Sequence, residues 1–314
     1  MADEKVIVTP YIVSTSPHLK TDETVKTVMR DVLIALSPAA LAAVYFFGLS
    51  ALWLILVSMA SAIAAEFISE KIMKREVTIS DGSAAITGLL LALICPPGIP
   101  LWIMAVGAAV SIVLGKQVFG GLGYNSFNPA LVGRAILMAS WPVAMTTWNT
   151  PFDAVSTATP LAIIKLNLTQ PLPSYWNLFI GNRSGSLGET SVLFLLLGAA
   201  YLLYKKQITW HIPVSFIAAV ALLSGIMNKD PLFNILAGGL ILGAFFMATD
   251  MVSSPMTGKG KIIFGCGCGI LTVLIRYKGG FPEGVCYSIL IFNMLTPLID
   301  KYTTPVKFGK IKNS

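Results

Sequence analysis

Charged side chains are scarce in this sequence: Asp, Glu, Lys and Arg together make up 12% of its 314 residues. A soluble domain carries about twice that share, so a fully hydrated globule is excluded. Histidine is scarcer still. His18 and His211 stand alone, and no Ser-His-Asp set can be assembled around either. No Walker-type phosphate loop and no Rossmann fingerprint is present, so the chain has no visible means of binding NAD by itself. The four cysteines, Cys95, Cys266, Cys268 and Cys286, lie in apolar segments without C-x-x-C spacing. That pattern indicates neither a disulfide framework nor a metal site.

What fills the chain is apolar. Hydrophobic residues make up 55% of it and the mean hydropathy is +0.77, which points to an all-α, polytopic integral membrane protein. The net charge of +7 implies no nucleic-acid partner, because Lys and Arg also collect in the cytoplasmic loops of membrane proteins. The first thirty residues are polar, with no apolar core or small-residue cleavage site, and do not read as a signal peptide.

Apolar runs predict about ten spans, near 29–48, 50–68, 82–95, 100–118, 128–145, 187–204, 210–226, 232–249, 260–277 and 281–299. With the N-terminus inside, sixteen Lys and Arg fall on the inner side and five on the outer, Arg134 being left out as lying within a span. The excess of positive charge places both termini on the cytoplasmic side. The resulting organisation is a cytoplasmic segment 1–28, a first transmembrane half 29–145, an extracytoplasmic loop 146–186, a second half 187–299 and a cytoplasmic tail 300–314.

The halves overlay faintly. Gly88 to Leu93 with Pro96-Pro97 matches Gly243 to Ala248 with Ser253-Ser254-Pro255, and Gly120-Gly121 before Phe127-Asn128-Pro129 matches Gly279-Gly280 before Phe281-Pro282. Five spans is an odd number, so the halves would be inverted five-helix repeats, an arrangement that puts ligand sites near the bilayer midplane. Cys95–Pro100 and Asp250–Pro255 read as breaks in helices, and irregular backbone at that depth must be buried in protein or line a cavity.

The outer loop carries Asp153-Ala154-Val155-Ser156-Thr157-Ala158-Thr159-Pro160. Proline disfavours helix at the preceding residue, so Thr159 is expected to be extended with its hydroxyl turned outward. Composition alone also allows an ordinary Ser/Thr turn. The string resembles the D-x-x-[ST]-x-A-T motif at which flavin transferases attach FMN through a phosphoester in the RnfD/NqrB family, with Thr157 standing where glycine is common. These are membrane flavoprotein subunits of the Rnf complex and of the sodium-pumping NADH:quinone oxidoreductase. Gly120-Gly121-Leu122-Gly123-Tyr124-Asn125-Ser126-Phe127-Asn128-Pro129-Ala130 is similar to a second family stretch, and Met247-Ala248-Thr249-Asp250 to a third. The short N-terminal region fits the RnfD side of the family.

The resemblance implies FMN bound covalently at Thr159 on the outer face and a second, non-covalent flavin (riboflavin) near Asn125 and Asn128. It further implies electron transfer between ferredoxin and NAD+ coupled to Na+ or H+ movement. The implied partners are RnfA, RnfB, RnfC, RnfE and RnfG, with a flavin transferase for maturation, all at the prokaryotic cytoplasmic membrane. The active site would belong to the complex, a translocase, rather than to this chain alone. A non-redox inverted-repeat transporter or channel remains the alternative.

Several residues have more than one reading. Asn128 can cap the helix opened by Pro129, and Tyr124 and Phe127 offer stacking faces. Arg134 either answers a flavin phosphate or ribityl chain, pairs with a carboxylate, or snorkels to the inner surface. Asp250 and Asp81 are ion-coupling candidates, with helix capping and an interfacial position as the respective alternatives. Glu66 also reads as interfacial. Gly265-Cys266-Gly267-Cys268-Gly269 reads as a helix-packing face, and Trp141, Trp148, Tyr175 and Trp176 as an interfacial belt.

Overall fold

A computed structural model describes residues 23–152, 155–189, 191–280 and 283–305. Asp153, the Phe281-Pro282 pair, the N-terminal segment through Asp22 and the end of the basic tail lie outside the described residues.

Long apolar runs give long helices at both ends of the chain. α1 (Val25–Phe47) starts where the Thr24 hydroxyl accepts from the Thr27 amide, and α2 (Leu49–Ile72) follows after the single residue Gly48. Gly48 has φ +68°, a left-handed turn that glycine makes without strain. α3 (Ser83–Leu93) and α4 (Leu101–Ile112) flank the break at Cys95–Pro100, and α4 continues into a π-turn over Val113–Gln117. α5 (Pro129–Ser140) and the short α6 (Pro142–Thr146) complete the first group. The polar interval holds α7 (Pro160–Lys165) and α8 (Tyr175–Ile180).

The second group comprises α9 (Val192–Tyr204), α10 (His211–Ile226), α11 (Pro231–Leu236), α12 (Leu240–Leu242) with a π-turn over Gly243–Met247, α13 (Gly258–Lys278) and α14 (Val285–Thr303). The expected span near 232–249 is therefore not one helix. Gly238 at φ +69° interrupts it, and the chain re-enters as α12. The span expected from 187 begins only at Val192, because Ser184 to Glu189 is folded against the end of α3.

Packing repeats between the groups. α2 lies against α4 and α10 against α13, while α4 meets α5 as α13 meets α14. Across the groups α1 packs on α9 and α5 on α14. Glycine sets the closest approaches. A Cβ at Gly265 would fall 2.8 Å from the Ile212 carbonyl, and one at Gly269 2.6 Å from the Ala219 Cβ, so the glycine face of α13 seats directly on α10. Among the described residues, α1, α2 and α13 are long and apolar enough to cross a membrane, and five shorter apolar helices accompany them. Lengths of this kind support a polytopic membrane protein without fixing the number of crossings at ten.

Both breaks end in satisfied carbonyls. At the end of α3, the Leu93 carbonyl accepts from the Gly188 amide (2.6 Å), the Cys95 carbonyl from the Leu187 amide (3.2 Å), and the Ile94 carbonyl from Arg134. At the second break, the Met247 carbonyl accepts from the Asn128 side chain at 3.3 Å. Helix-end carbonyls without partners are costly away from water, so these contacts are what permit the chain to break inside the bundle.

Candidate functional site

The functional candidates separate into two regions, one beside the break after α12 and one beside the break after α3. The first forms where the π-turn after α4 meets the glycine-rich stretch. Gly120, Gly121 and Gly123 all have positive φ (+130°, +99° and +93°), so this loop doubles back on itself before Asn128. The Asn128 side chain accepts from the Ala130 and Leu131 amides at 3.0 and 3.3 Å, capping α5 with Pro129 at its first position. Asn125 donates to the Phe127 carbonyl at 3.0 Å, and its buried Oδ1 has no partner among the described residues. Asn125, Asn128, Lys116 and Asp250 line a cavity of about 110 Å³. Tyr124 is 72% exposed and does not line this cavity; Phe127 packs on Phe119 with ring centroids 6.1 Å apart.

Lys116 reaches this cavity from the π-turn and is 1% exposed. It pairs with Glu66 and donates to the Ser83 hydroxyl at 2.5 Å, and Gln117 donates to the same Glu66 oxygen at 3.1 Å. Glu66 is therefore buried within the protein, where an ion pair with Lys116 replaces the water it would otherwise need. Asp81 accepts from the Ser83 amide (2.8 Å) and hydroxyl (2.6 Å), which opens α3 and joins Asp81 to the same network. Asp250 accepts from the Ser253 hydroxyl at 2.7 Å in the turn that closes the second break.

The second region surrounds Thr159. Its backbone is extended (φ −67°, ψ 155°), as the following proline requires. The hydroxyl is not turned outward. Thr159 is 4% exposed, and its Oγ1 accepts from the Ala162 amide at 3.2 Å as the cap of α7. The neighbouring Ala158 carbonyl is held by the Ser184 hydroxyl at 2.9 Å. A cavity of about 360 Å³ opens alongside, walled by Trp148, Thr157, Ala158, Lys165, Arg134 and Tyr287. Thr157 Oγ1 is buried there without a partner among the described residues. Trp148 is buried, so it belongs to this wall and not to an interfacial belt, whereas Trp176 is 67% exposed.

Arg134 does not snorkel. It is buried, bonds the Ile94 carbonyl and pairs with Glu283, which sits in the link between α13 and α14 and outside both helices. Around this pair gather further buried charges: Arg183, Glu189 and Arg276 are each 5% exposed or less. Arg183 donates to the Glu189 carbonyl (2.5 Å), and Arg276 donates to the Asn234 and Ala237 carbonyls (2.6 and 3.1 Å), closing the end of α11. Arg134 and Arg276 act on the Glu283 carboxyl with one sign and Glu189 with the other, so this carboxyl stands among opposed charges. Sequence reasoning missed this cluster because each member sits near the end of an apolar run, where a charge ordinarily reaches water. No local signal marks it, because its members come from separate stretches of the chain.

The structure thus brings Asn125, Asn128 and Asp250 together, with Asp81 joined through Ser83 and Lys116. Arg134 shares the other cavity with the neighbours of Thr159. Comparison with known proteins covers nearly the whole chain. The profile of the NQR2, RnfD, RnfE family matches residues 12–309. The D subunit of the proton-translocating ferredoxin:NAD(+) oxidoreductase complex of Clostridium ljungdahlii is 50% identical, over 98% of this chain and 99% of the relative. The D subunit of the Na(+)-translocating complex of Acetobacterium woodii is 46% identical, over 96% of each. That of the ion-translocating oxidoreductase complex of Aliivibrio salmonicida is 36% identical, over 96% of this chain and 99% of the relative. With matches of this length and identity, the chain belongs to the NQR2, RnfD, RnfE family.

Proposed function

We propose that this chain is the membrane-embedded D subunit of an ion-translocating ferredoxin:NAD+ oxidoreductase complex, and that it carries FMN esterified to Thr159. Whole-length similarity to subunits of that name supports the first part. A cavity walled by Thr157, Ala158 and Ala162, the residues on either side of Thr159, carries the second. Its volume of about 360 Å³ falls within the roughly 300–1,000 Å³ of small-molecule sites.

The residues present fit such a group. Lys165, which donates to the Ile275 and Gly279 carbonyls, and Arg134, bonded to Ile94 and Glu283, place positive charge in the cavity wall; Trp148 and Tyr287 supply ring faces, and the Thr157 hydroxyl supplies an unused hydrogen-bonding group. An ester oxygen at Thr159 keeps its capacity to accept from the Ala162 amide, so esterification leaves the α7 cap in place. When bound, FMN supplies one-electron chemistry; the chain's part is to hold it, exclude water and set the surrounding charge.

A riboflavin at Asn125 and Asn128 is a poorer fit. The hydrogen-bonding groups match, but about 110 Å³ does not contain an isoalloxazine. Asp250 and Asp81 are proposed to take part in ion coupling through the network that joins Asp81 to Lys116 and Glu66. The proposed setting is the prokaryotic cytoplasmic membrane, with both termini inside, the Thr159 loop outside, and RnfA, RnfB, RnfC, RnfE and RnfG completing the complex.

Mass spectrometry tests the flavin. In cells containing a flavin transferase, the tryptic peptide Ala135–Lys165 carries FMN, and Thr159→Ala abolishes in-gel flavin fluorescence. An unmodified peptide and a colourless preparation would instead support a non-redox transporter.

A further inference from the structure

We propose that Glu283, which borders the cavity beside Thr157 and Ala158, is a proton-binding site, its enclosed Oε1 taking the proton while Arg134 holds Oε2. This goes beyond the flavin reading and rests only on the chain's own residues. Glu283 lines both the cavity of about 360 Å³ and a smaller internal one of about 20 Å³. The smaller volume is enough for about one water molecule. Oε2 pairs with Arg134, whereas Oε1 is buried with no partner among the described residues. The small cavity also touches Ile94 and Met247, the residues at which both helices break. Glu283 therefore stands between the wide cavity and the interior end of both breaks.

The surroundings favour a proton over a metal cation. Arg134 on α5, Arg276 on α13 and Arg183 in the link before α9 all act on this region, with Glu189 as the second carboxylate. Cys95 after α3 and Cys286 and Tyr287 on α14 complete the titratable groups around it, and Lys165 of α7 lies across the wide cavity. A bare cation needs several oxygen ligands and would be repelled by three guanidinium groups. A proton needs one oxygen. It is taken up from solvent, forms the O–H bond at Oε1, and cancels the repulsion between Glu283 and Glu189; no electron moves in the step. Arg134 keeps its bond to the Ile94 carbonyl throughout, so the helix end stays closed in both states.

Infrared difference titration of the purified complex, with and without loaded flavin, reads the site. Between about pH 5 and about pH 9 the native protein loses a protonated-carboxyl band whose midpoint lies well above the ~4.3 of an ordinary glutamate. Glu283→Gln lacks that band. Glu189→Gln retains it but moves the midpoint acid-ward by about one pH unit, because a like charge is removed; this variant keeps the test decisive should Glu283→Gln not fold. A native protein without a carboxyl band above about pH 6, a band that survives Glu283→Gln, or a midpoint unmoved by Glu189→Gln would overturn the proposal. Since the band is read in flavin-free protein as well, its loss and the loss of FMN at Thr159 are separate results.

Discussion

Lys116 shows what a single side chain does when it cannot reach water. Buried with Glu66 and Ser83, it gains by pairing but gives up the hydration of two ions. Removing one partner leaves the other charge stranded, so Glu66→Gln or Lys116→Met is expected to cost about 3–5 kcal/mol. Replacing both by apolar residues should cost less than the sum of the single changes. Thermal denaturation of the detergent-solubilised protein in a double-mutant cycle measures the difference, and additive losses would show that the pair is not coupled. Asn128 is a second case. It caps two amides of α5 and also holds the Met247 carbonyl, so Asn128→Ala should destabilise by more than the ~1 kcal/mol typical of a lost cap. Its capping role was legible in the sequence because Asn-Pro before an apolar run has a local meaning. Its bond to Met247, 119 residues away, was not, since nothing local encodes which carbonyl will be left without a partner.

At the level of elements, glycine spacing does most of the positioning. Gly265 and Gly269, one helical turn apart, put α13 against the backbone of α10, where added atoms would meet the Ile212 and Phe216 carbonyls at 2.8 Å. Gly269→Val should force the helices apart at a cost of about 1–3 kcal/mol, whereas Gly121→Ala, with open space around it, should suffer only from its positive φ. Comparing melting temperatures of the two variants separates contact from backbone strain. The packing role of that glycine face and both helix breaks could be read from the sequence, because small residues and Pro-Gly clusters act over a few positions. The division of 232–249 could not. Its apolar content is continuous, and the interruption at Gly238 depends on a fit against Leu161 and Arg276 that is made only in the folded bundle.

For the molecule as a whole, the expected orientation is open to direct measurement. Val155 is 58% exposed in the outer interval, and Lys206 lies in the turn between α9 and α10 on the opposite side of the proposed topology. Val155→Cys should react with a membrane-impermeant maleimide added to intact cells and Lys206→Cys should not; the reverse pattern would invert the topology. Cys95, Cys268 and Cys286 are buried, and changing the half-buried Cys266 to Ser removes the remaining background from this chain. The charge count behind this orientation needs amendment, as Lys116, Arg183 and Arg276 are interior groups and carry no information about loops. Arg134, from the first group of helices, grips Ile94 and Glu283 at once, and Asn128, also from the first group, closes a carbonyl of the second. The two groups are thereby stitched at both of their weak points. Swinging one against the other would unfasten carbonyls in an oily interior, at several kcal/mol for each. Such a frame is better suited to standing still while side chains and small charges change places within it.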